Sequence, residues 1–589
     1  MLIIILFLFL FPQIVLLTEF NDPYLIHTNY GYIRGFPFNI NDSNKSKFVK
    51  IFLGIPFAQP PINELRFEKP KEPKKWDGIK NTTEMGPACF PHVPKGMMAL
   101  EEDHNEDCLY MNIATPGWEN KNGHHLFPVL FFIHGGGYET GTIREISKEV
   151  MANKYSKNNI VFVTFQYRIG QLGFAATGDD DFAGNYGLWD QLRALQFVKD
   201  NIEKFGGDPK RITIFGFSAG ASSVSALSLS PLSNKLFQQT IQMSGTFFSE
   251  WSVSNRVVFE TEKMAKIVSC GESLGNSNEL KKCLRSKTVK ELMDAVEKMG
   301  SARKEVNSLL FTPRIDKEFL PNDVLTMLKN APVKRNLIGI TTLETLSFML
   351  LKPEDSLTGL SVLSDEIEKY DRKKFEKFIR EKVAPKRIFG KGNGREVQNK
   401  IIEFYLCDIE KINEENTEKE VAFYFLEKYI QLTTDLMFIV PMLQEVHYKL
   451  EKGWPLYVYM IDYFNKQYYP KNIPIKGAYH AVELAPLFNV TIYPFIIEKF
   501  SEEDLKFESV LHTSIVNFVH TGNPSTSALN WPSLKDQPSQ YALLNSNPKI
   551  VETALFPEKL KFWQELTEKY SFDIVKGIDK ETLFTRDEL

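Results

Sequence analysis

One serine lies between two glycines, at a point where an apolar run gives way to small residues. The stretch ITIFGFSAGA, residues 212–221, contains Gly216, Ser218 and Gly220 in the pattern G-x-S-x-G. Between a strand and a helix this pattern is typical of a nucleophile elbow, a sharp turn that presents a serine hydroxyl for covalent catalysis. The glycines are required because the backbone of such a turn leaves no room for a side chain. The alternative is an ordinary serine in a glycine-rich bend, so the hypothesis needs a base, an acid and an oxyanion hole elsewhere in the chain.

A second glycine cluster supplies the candidate oxyanion hole. The apolar run VLFFI, residues 129–133, leads directly into HGGGY, residues 134–138. Glycine clusters at strand ends are commonly only tight turns, but H-G-G-G is also the motif that accompanies G-x-S-x-G. We predict that the amides of Gly136, Gly137 and Ala219 donate hydrogen bonds to the oxygen that becomes negative when an ester carbonyl is attacked. One such donor can contribute about 3 to 4 kcal/mol in the transition state.

Strand-like and helix-like segments alternate around these motifs. Apolar runs typical of strands occupy residues 127–134, 159–167 and 211–217, and residues 186–206 carry an apolar face with helical spacing. This alternation predicts an α/β fold with a mostly parallel sheet, in which functional groups gather at the carboxyl ends of the strands. Because no linker rich in Pro, Gly or Ser divides the 589 residues, we expect one domain over residues 19–585.

Several further stretches match one protein family, and they do so in family order. They are FLGIPFAQPP (52–61), EDCLYMN (106–112), YRIGQLGF (167–174), GNYGLWDQ (184–191), FGGDP (205–209), HTGNP (520–524) and FW (562–563). With HGGGY and GFSAGA, they make the chain similar to the type-B carboxylesterases of the carboxylesterase and cholinesterase family, from about residue 30 to residue 563. The resemblance implies an α/β-hydrolase fold and a serine esterase that needs no cofactor and no metal.

The resemblance also implies several structural pairs. The expected disulfides are Cys89–Cys108 and Cys270–Cys283, and the expected buried ion pairs are Arg66–Glu106 and Arg168–Asp190. Cys407 then stays unpaired, and we predict a buried apolar environment for it beside Phe404 and Tyr405. The charged, helix-like region from about residue 346 to residue 450 is expected to be a helical insertion that covers the site entrance; the alternative is a solvated helical face.

The remaining catalytic residues are sought by chain order, which in this fold runs serine, acid, histidine. In NLIGITTLETLSF, residues 336–348, Glu344 stands five residues after Gly339, as the family's acid does, although Thr345 replaces the usual following glycine. A solvated surface glutamate is the alternative at this position. The stretch GAYHAVELAPLF, residues 477–488, resembles the family's catalytic histidine loop and assigns His480. His480 is then the base, and Glu344 the acid that orients it.

The family resemblance leaves two alternatives to a carboxylesterase, a cholinesterase and a non-catalytic adhesion protein. The resemblance associates cholinesterases with a tryptophan in the first disulfide loop and a glutamate directly before the nucleophile. Here the loop FPHVPKGMMALEEDHNED has no tryptophan, and Phe217 precedes Ser218. Both departures favour neutral ester substrates over choline esters. Non-catalytic adhesion members have lost catalytic residues, whereas this chain keeps all three candidates and the oxyanion glycines.

The two ends of the chain predict its compartment. Residues 1–18 occupy the place of a secretory signal peptide, and they are apolar to Leu17 apart from a break at Pro12 and Gln13. An uncleaved anchor is the alternative, but the run is short for a stable membrane span. The last four residues, 586–589, read RDEL and resemble the K-D-E-L retrieval signal. We therefore expect a retrieval receptor as partner and the endoplasmic reticulum lumen as location. The alternative is a charged tail that matches by chance. The sequons at Asn41, Asn44, Asn81 and Asn489 are allowed for glycosylation.

The charge of the chain bears on its partners. The net charge is -4 with both signs interspersed, so there is no basic stripe and nucleic acid is not expected as a partner. The expected partner in the site is a small-molecule ester.

Overall fold

The computed structural model describes residues 22–40, 47–91, 103–120, 125–299, 309–350, 360–469, 473–491, 497 and 499–579. The predicted signal peptide, the RDEL tetrapeptide and the sequons at Asn41 and Asn44 lie outside the described residues. Asn81 and Asn489 lie within them, and both are exposed.

The centre of the fold is a sheet of eleven strands. The strands of the described residues are β1 (Leu25–His27), β2 (Tyr32–Arg34), β3 (Phe36–Ile40), β4 (Lys47–Pro56), β5 (Ile79–Asn81), β6 (Tyr110–Pro116), β7 (Phe127–Ile133), β8 (Val161–Phe165), β9 (Gly207–Phe217), β10 (Gln239–Met243), β11 (Arg335–Thr341), β12 (Leu456–Ile461), β13 (Tyr541–Leu544), β14 (Lys549–Val551), β15 (Phe572–Asp573) and β16 (Ile578–Asp579).

The large sheet runs in the order β14-β13-β12-β11-β10-β9-β7-β8-β6-β4-β3. The strands from β8 through β7, β9, β10, β11 and β12 to β13 are mutually parallel. The antiparallel pairs lie at the two edges of the sheet. Every residue of β7 and β8 is buried, because helices cover both faces of a parallel sheet and such strands are therefore apolar throughout. The predicted α/β class is confirmed.

The helices follow the strands that they cover. They are α1 (Lys148–Val150), α2 (Gly170–Phe174), α3 (Tyr186–Asn201), α4 (Ala219–Leu229), α5 (Arg256–Ile267), α6 (Ser277–Ser286), α7 (Val289–Met299), α8 (Val324–Asn330), α9 (Leu346–Leu350), α10 (Arg372–Phe378), α11 (Lys386–Tyr405), α12 (Glu418–Thr434), α13 (Val440–Glu451), α14 (Leu484–Phe488), α15 (Glu502–Thr521) and α16 (Pro557–Tyr570). Among the helices of the described ranges, none is both long and apolar enough to cross a bilayer.

Local sequence explains where the main helices begin. Ser501 and Thr417 accept hydrogen bonds from backbone amides at the starts of α15 and α12, and the carboxylate of the third helical residue of each accepts from the backbone amide of the cap. This reciprocal arrangement satisfies amides that a helix start leaves without partners. The predicted helix at residues 186–206 ends as an α-helix at Asn201 and continues as a 3-10 turn to Phe205.

The covalent and ionic pairs expected from the resemblance are present. Disulfides join Cys89 to Cys108 and Cys270 to Cys283. The Arg66 guanidinium binds the Glu106 carboxylate at 2.5 Å, and Arg168 binds Asp190 at 2.7 Å with both side chains buried. These bidentate contacts join segments that are 40 and 22 residues apart in the chain.

The predicted environment of Cys407 is wrong. This cysteine was expected to be buried beside Phe404 and Tyr405, but it is a free, exposed thiol. The α-helix ends at Tyr405, and Tyr405 and Leu406 take the interior positions, each only 5% exposed. The next residue in the turn therefore points to solvent.

Candidate active site

Ser218 occupies a strained turn between β9 and α4. Its backbone has φ 55° and ψ -121°, a conformation that non-glycine residues rarely adopt. A Cβ on Gly216 would lie 2.2 Å from the carbonyl carbon of Gly220, and one on Gly220 would lie 2.1 Å from the carbonyl oxygen of Ile133. No side chain fits at either position, so the G-x-S-x-G spacing is a steric requirement of this turn.

The structure brings Ser218, His480 and Glu344 together in one line of hydrogen bonds. The Ser218 Oγ lies 2.9 Å from Nε2 of His480, and Nδ1 of the same ring lies 2.5 Å from Oε2 of Glu344. Glu344 is fully buried, so the alternative of a solvated surface glutamate is wrong. The carboxylate fixes the imidazole with its proton on Nδ1, which leaves Nε2 free to accept the serine proton.

Two loops hold the acid and the histidine side by side. Leu343 donates its amide to the carbonyl of Ala478 at 2.8 Å, and the His480 amide approaches the Glu344 carbonyl at 3.3 Å. The Thr341 amide, at the end of β11, donates to Oε1 of Glu344 at 2.7 Å. The acid therefore sits at the carboxyl end of a parallel strand, where the sequence pattern predicted functional groups.

Thr345, the departure from the family's glycine, has a structural role. Its hydroxyl lies 2.8 Å from the hydroxyl of Thr433 and 3.0 Å from that of Thr434, and its side chain is buried. The threonine thereby ties the acid loop to the end of α12. A glycine would provide no such contact.

Three phenylalanine rings surround the imidazole of His480. The ring centroids of Phe217, Phe348 and Phe438 lie 4.8, 5.2 and 4.9 Å from that of His480. Two of these rings come from the region 346–450, which was predicted to cover the site entrance. Apolar rings exclude water and strengthen the electrostatic interactions within the site.

The glycine loop after β7 lies directly against the serine. A Cβ on Gly135 would lie 3.0 Å from the Cβ of Ser218. Among the described residues, no hydrogen bond is donated by the amides of Gly136, Gly137 or Ala219, so these donors are available to a ligand. Ala219 is also the first residue of α4, where a helix leaves its amides without internal partners and favours negative charge.

His134 supports this loop as a neutral ring. Burial lowers the pKa of His134 to about 4, and its Nδ1–H donates to the Gly135 carbonyl at 2.9 Å. The Tyr167 hydroxyl donates to the His134 carbonyl at 2.9 Å, and the two rings stack. His134, the first residue of the H-G-G-G motif, thus fixes the position of the glycine loop through its ring and its carbonyl.

Sequence reasoning missed two residues beside the acid, of which Ser244 binds it directly. The Ser244 hydroxyl donates to Oε1 of Glu344 at 2.7 Å and lies 3.4 Å from Oε1 of Glu483. Glu483 is fully buried. Both had a signal: Ser244 follows β10 directly, and Glu483 lies within the quoted histidine loop. Neither signal separates a partner of the acid from an ordinary core residue.

Glu483 makes stability depend on pH. Burial, and secondarily the neighbouring Glu344, raise the pKa of Glu483 to about 8. In the folded state the Glu483 carboxyl keeps its proton up to a pH near 8, whereas in the unfolded chain it releases that proton above its ordinary pKa. Glu483 therefore stabilises the fold at low pH, and this contribution is lost as pH rises through 8. We expect the wild type to lose about 2 kcal/mol more than Glu483→Gln between pH 6 and pH 8 in urea unfolding. Equal slopes for both proteins would contradict the buried, protonated carboxyl.

The comparisons with known proteins agree with this geometry. Residues 22–563 match the Carboxylesterase family. Gut esterase 1 of Caenorhabditis briggsae is 34% identical over 94% of this chain and 94% of its own length. Liver carboxylesterase 1F of Rattus norvegicus is 30% identical over 93% of this chain and 95% of its own. Neuroligin-2 of Mus musculus is 29% identical over 92% of this chain and 67% of its own. The chain belongs to the carboxylesterase family.

Proposed function

We propose that this protein hydrolyses carboxylic esters of neutral substrates through an acyl-enzyme. The observation that carries the proposal is the hydrogen-bonded line from Ser218 through His480 to Glu344, with 2.9 and 2.5 Å separations. Ser218 stands at a strained elbow beside three amides that donate no hydrogen bond within the described part of the chain. Family membership supports the same reaction class.

The roles of the residues follow from this geometry. Nε2 of His480 accepts the proton of Ser218 while Oγ attacks the ester carbonyl, and the amides of Gly136, Gly137 and Ala219 bind the resulting oxyanion. The imidazolium, stabilised by Glu344, then donates that proton to the alcohol as the C–O bond breaks. Water repeats the sequence: His480 takes its proton, the hydroxide adds to the acyl carbon, and the acid leaves as Ser218 regains its proton.

The charge around the site favours uncharged esters. The Glu344 carboxylate is hydrogen-bonded to His480. Glu483 is mostly protonated at neutral pH, because its pKa is raised to about 8. Phe217, Phe348 and Phe438 present apolar rings beside the histidine. Phe217 also stands directly before the nucleophile, where the resemblance places a glutamate in the cholinesterases.

Two esters with the same acyl group test the substrate class. We expect kcat/KM for p-nitrophenyl butyrate to exceed that for butyrylthiocholine by at least about tenfold, since Glu344 is bound to His480 and Glu483 is mostly protonated, so neither offers the cation a free carboxylate. The reverse preference would favour the cholinesterase alternative. A fluorophosphonate should label Ser218 stoichiometrically, with mass spectrometry of the peptide as the readout.

The match to neuroligin-2, a relative not named as an esterase, keeps a non-catalytic family member as the alternative function. That alternative requires folded protein that turns over neither ester and resists the fluorophosphonate. The hydrogen-bonded triad favours the enzyme.

We further propose that the protein resides in the endoplasmic reticulum lumen and is retrieved through residues 586–589. The exposed positions of Asn81 and Asn489 suit glycosylation there. We expect deletion of the last four residues to move most of the protein into the medium of cultured animal cells, and wild-type glycans to stay sensitive to endoglycosidase H. Retention of both forms inside the cell would contradict the retrieval role.

A further inference from the structure

A buried ion pair lies behind the candidate nucleophile and takes no part in the reaction described above. Glu445 and Lys449 are one turn apart on α13, with Nζ 2.6 Å from Oε1 and both side chains fully buried. Burial lowers the pKa of Lys449, and the Glu445 carboxylate acts against that shift. Two charges withdrawn from water require additional hydrogen bonds to be held there.

The Glu445 carboxylate receives those bonds from two different elements. Oε1 accepts from the hydroxyl of Ser225 on α4 at 2.7 Å. Oε2 accepts from Nε2 of Gln242 at 3.1 Å and from the Thr246 hydroxyl. One side chain therefore links the helix that begins beside Ser218 to the segment 242–246 at the end of β10.

Lys449 secures the same segment from its other side. Its ammonium donates to Oε1 of Gln242 at 2.9 Å and to Oδ1 of Asn336 on β11 at 3.0 Å. Nε2 of Gln242 also approaches the Gly245 carbonyl at 3.3 Å. The cluster thus fixes both ends of a short loop between the strands that carry the nucleophile and the acid.

That loop touches the triad at three points. The Met243 carbonyl accepts from the Ser218 amide at 2.8 Å, and the Ser244 hydroxyl donates to Glu344 at 2.7 Å. Gly245 packs on the nucleophile, since a Cβ there would lie 2.1 Å from the Ser218 carbonyl oxygen. A displacement of the loop would shift both the serine backbone and the acid.

We propose that Glu445 is a positioning residue for ester hydrolysis, one that orients Ser218 and Glu344 through the segment 242–246. This inference rests on the proposed function. Four groups donate to the two oxygens of the Glu445 carboxylate, two to each: the Lys449 ammonium, the Ser225 and Thr246 hydroxyls and the Gln242 amide. A glutamine of the same size would offer only one acceptor oxygen, and its NH₂ group would face two of these donors. The loop would lose an anchor while substrate contacts stay the same.

Three variants separate positioning from stability. Glu445→Gln removes the carboxylate. Thr246→Val removes the hydroxyl that donates to Glu445 and accepts from the Phe248 amide, while leaving the ion pair. Glu260→Gln is the matched control, because Glu260 is also a buried helical carboxylate that binds a cation four residues away, Arg256, at 3.0 Å. No hydrogen bond among the described residues joins Glu260 to the triad or to segment 242–246.

We expect kcat for p-nitrophenyl butyrate to fall about tenfold in Glu445→Gln and severalfold in Thr246→Val, with KM within twofold of wild type. The fluorophosphonate reaction should slow by the same factors, and the low-field NMR resonance of the His480 Nδ1 proton should shift. Glu260→Gln should match wild type in all three measurements. Activities are expressed per folded protein, so a loss of stability alone does not change them.

The outcomes are distinct. If Glu445→Gln and Thr246→Val keep kcat within twofold of wild type, the positioning role is overturned while the esterase assignment stands. If Glu445→Gln does not fold, Thr246→Val decides the matter by the same criterion. If the wild type itself turns over neither ester, the proposed function falls and this inference with it.

Discussion

Ser218→Ala is expected to lower kcat for p-nitrophenyl butyrate by roughly 10⁵-fold or more. The variant removes the Ser218 Oγ, the atom that forms the acyl bond in the proposed reaction. His480 and Glu344 then have no hydroxyl from which to take a proton. Alanine is smaller and apolar, so the elbow should form as before, with the same strained backbone. Steady-state rates, with folding checked by circular dichroism, provide the measurement.

Ser228→Ala is the matched control for this prediction. Ser228 lies on α4, the helix that follows Ser218, and is also buried, but its hydroxyl donates to the Val224 carbonyl within that helix. We expect wild-type kcat from Ser228→Ala and no fluorophosphonate labelling of Ser218→Ala. Turnover by Ser218→Ala above one-thousandth of wild type would mean that a different group performs the attack.

Glu344→Gln is expected to lower kcat by about 10⁴-fold. The Glu344 Oε1 accepts from the Thr341 amide and the Ser244 hydroxyl, so a glutamine would keep its oxygen there. Its NH₂ would then face Nδ1 of His480 and force the ring proton onto Nε2. In that tautomer the lone pair is on Nδ1, and Nε2, the nitrogen that faces Ser218, can no longer accept its proton.

The KM of Glu344→Gln should stay near the wild-type value, because the carboxylate is buried and does not meet substrate. The low-field proton resonance of His480 should disappear, which reports the tautomer independently of rate. A loss of less than tenfold in kcat would contradict the orienting role of Glu344. Glu260→Gln again serves as the control for loss of a buried carboxylate.

The elbow and the glycine loop were predictable from the residues themselves. Both are local: the turn at Ser218 is so tight that Gly216 and Gly220 are sterically required, and the requirement is written within five residues. The alternation of buried strands and helices likewise predicted the parallel sheet, since burial on both faces imposes continuous apolar runs.

The acid and the base were predictable only through the family resemblance. Glu344 and His480 are 136 residues apart, and His480 is 262 residues from Ser218. Nothing in the local sequence of a glutamate or a histidine reports a partner at that distance. Glu344, His480 and Ser218 come together only because the strands that precede them lie close together in the sheet. The assignments of Glu344 and His480 therefore rested on motifs matched to the family.

The fold class, the tight turn at Ser218 and the glycine loop after β7 were thus predictable from short stretches, because each follows from local steric and apolar patterns. The exposure of Cys407, the raised pKa of Glu483 and the ion pair of Glu445 with Lys449 emerge only in the folded structure. These properties depend on how much water the surrounding elements exclude and on which charges those elements bring near. Burial and charge proximity arise from contacts between distant parts of the chain, and a single sequence does not display them.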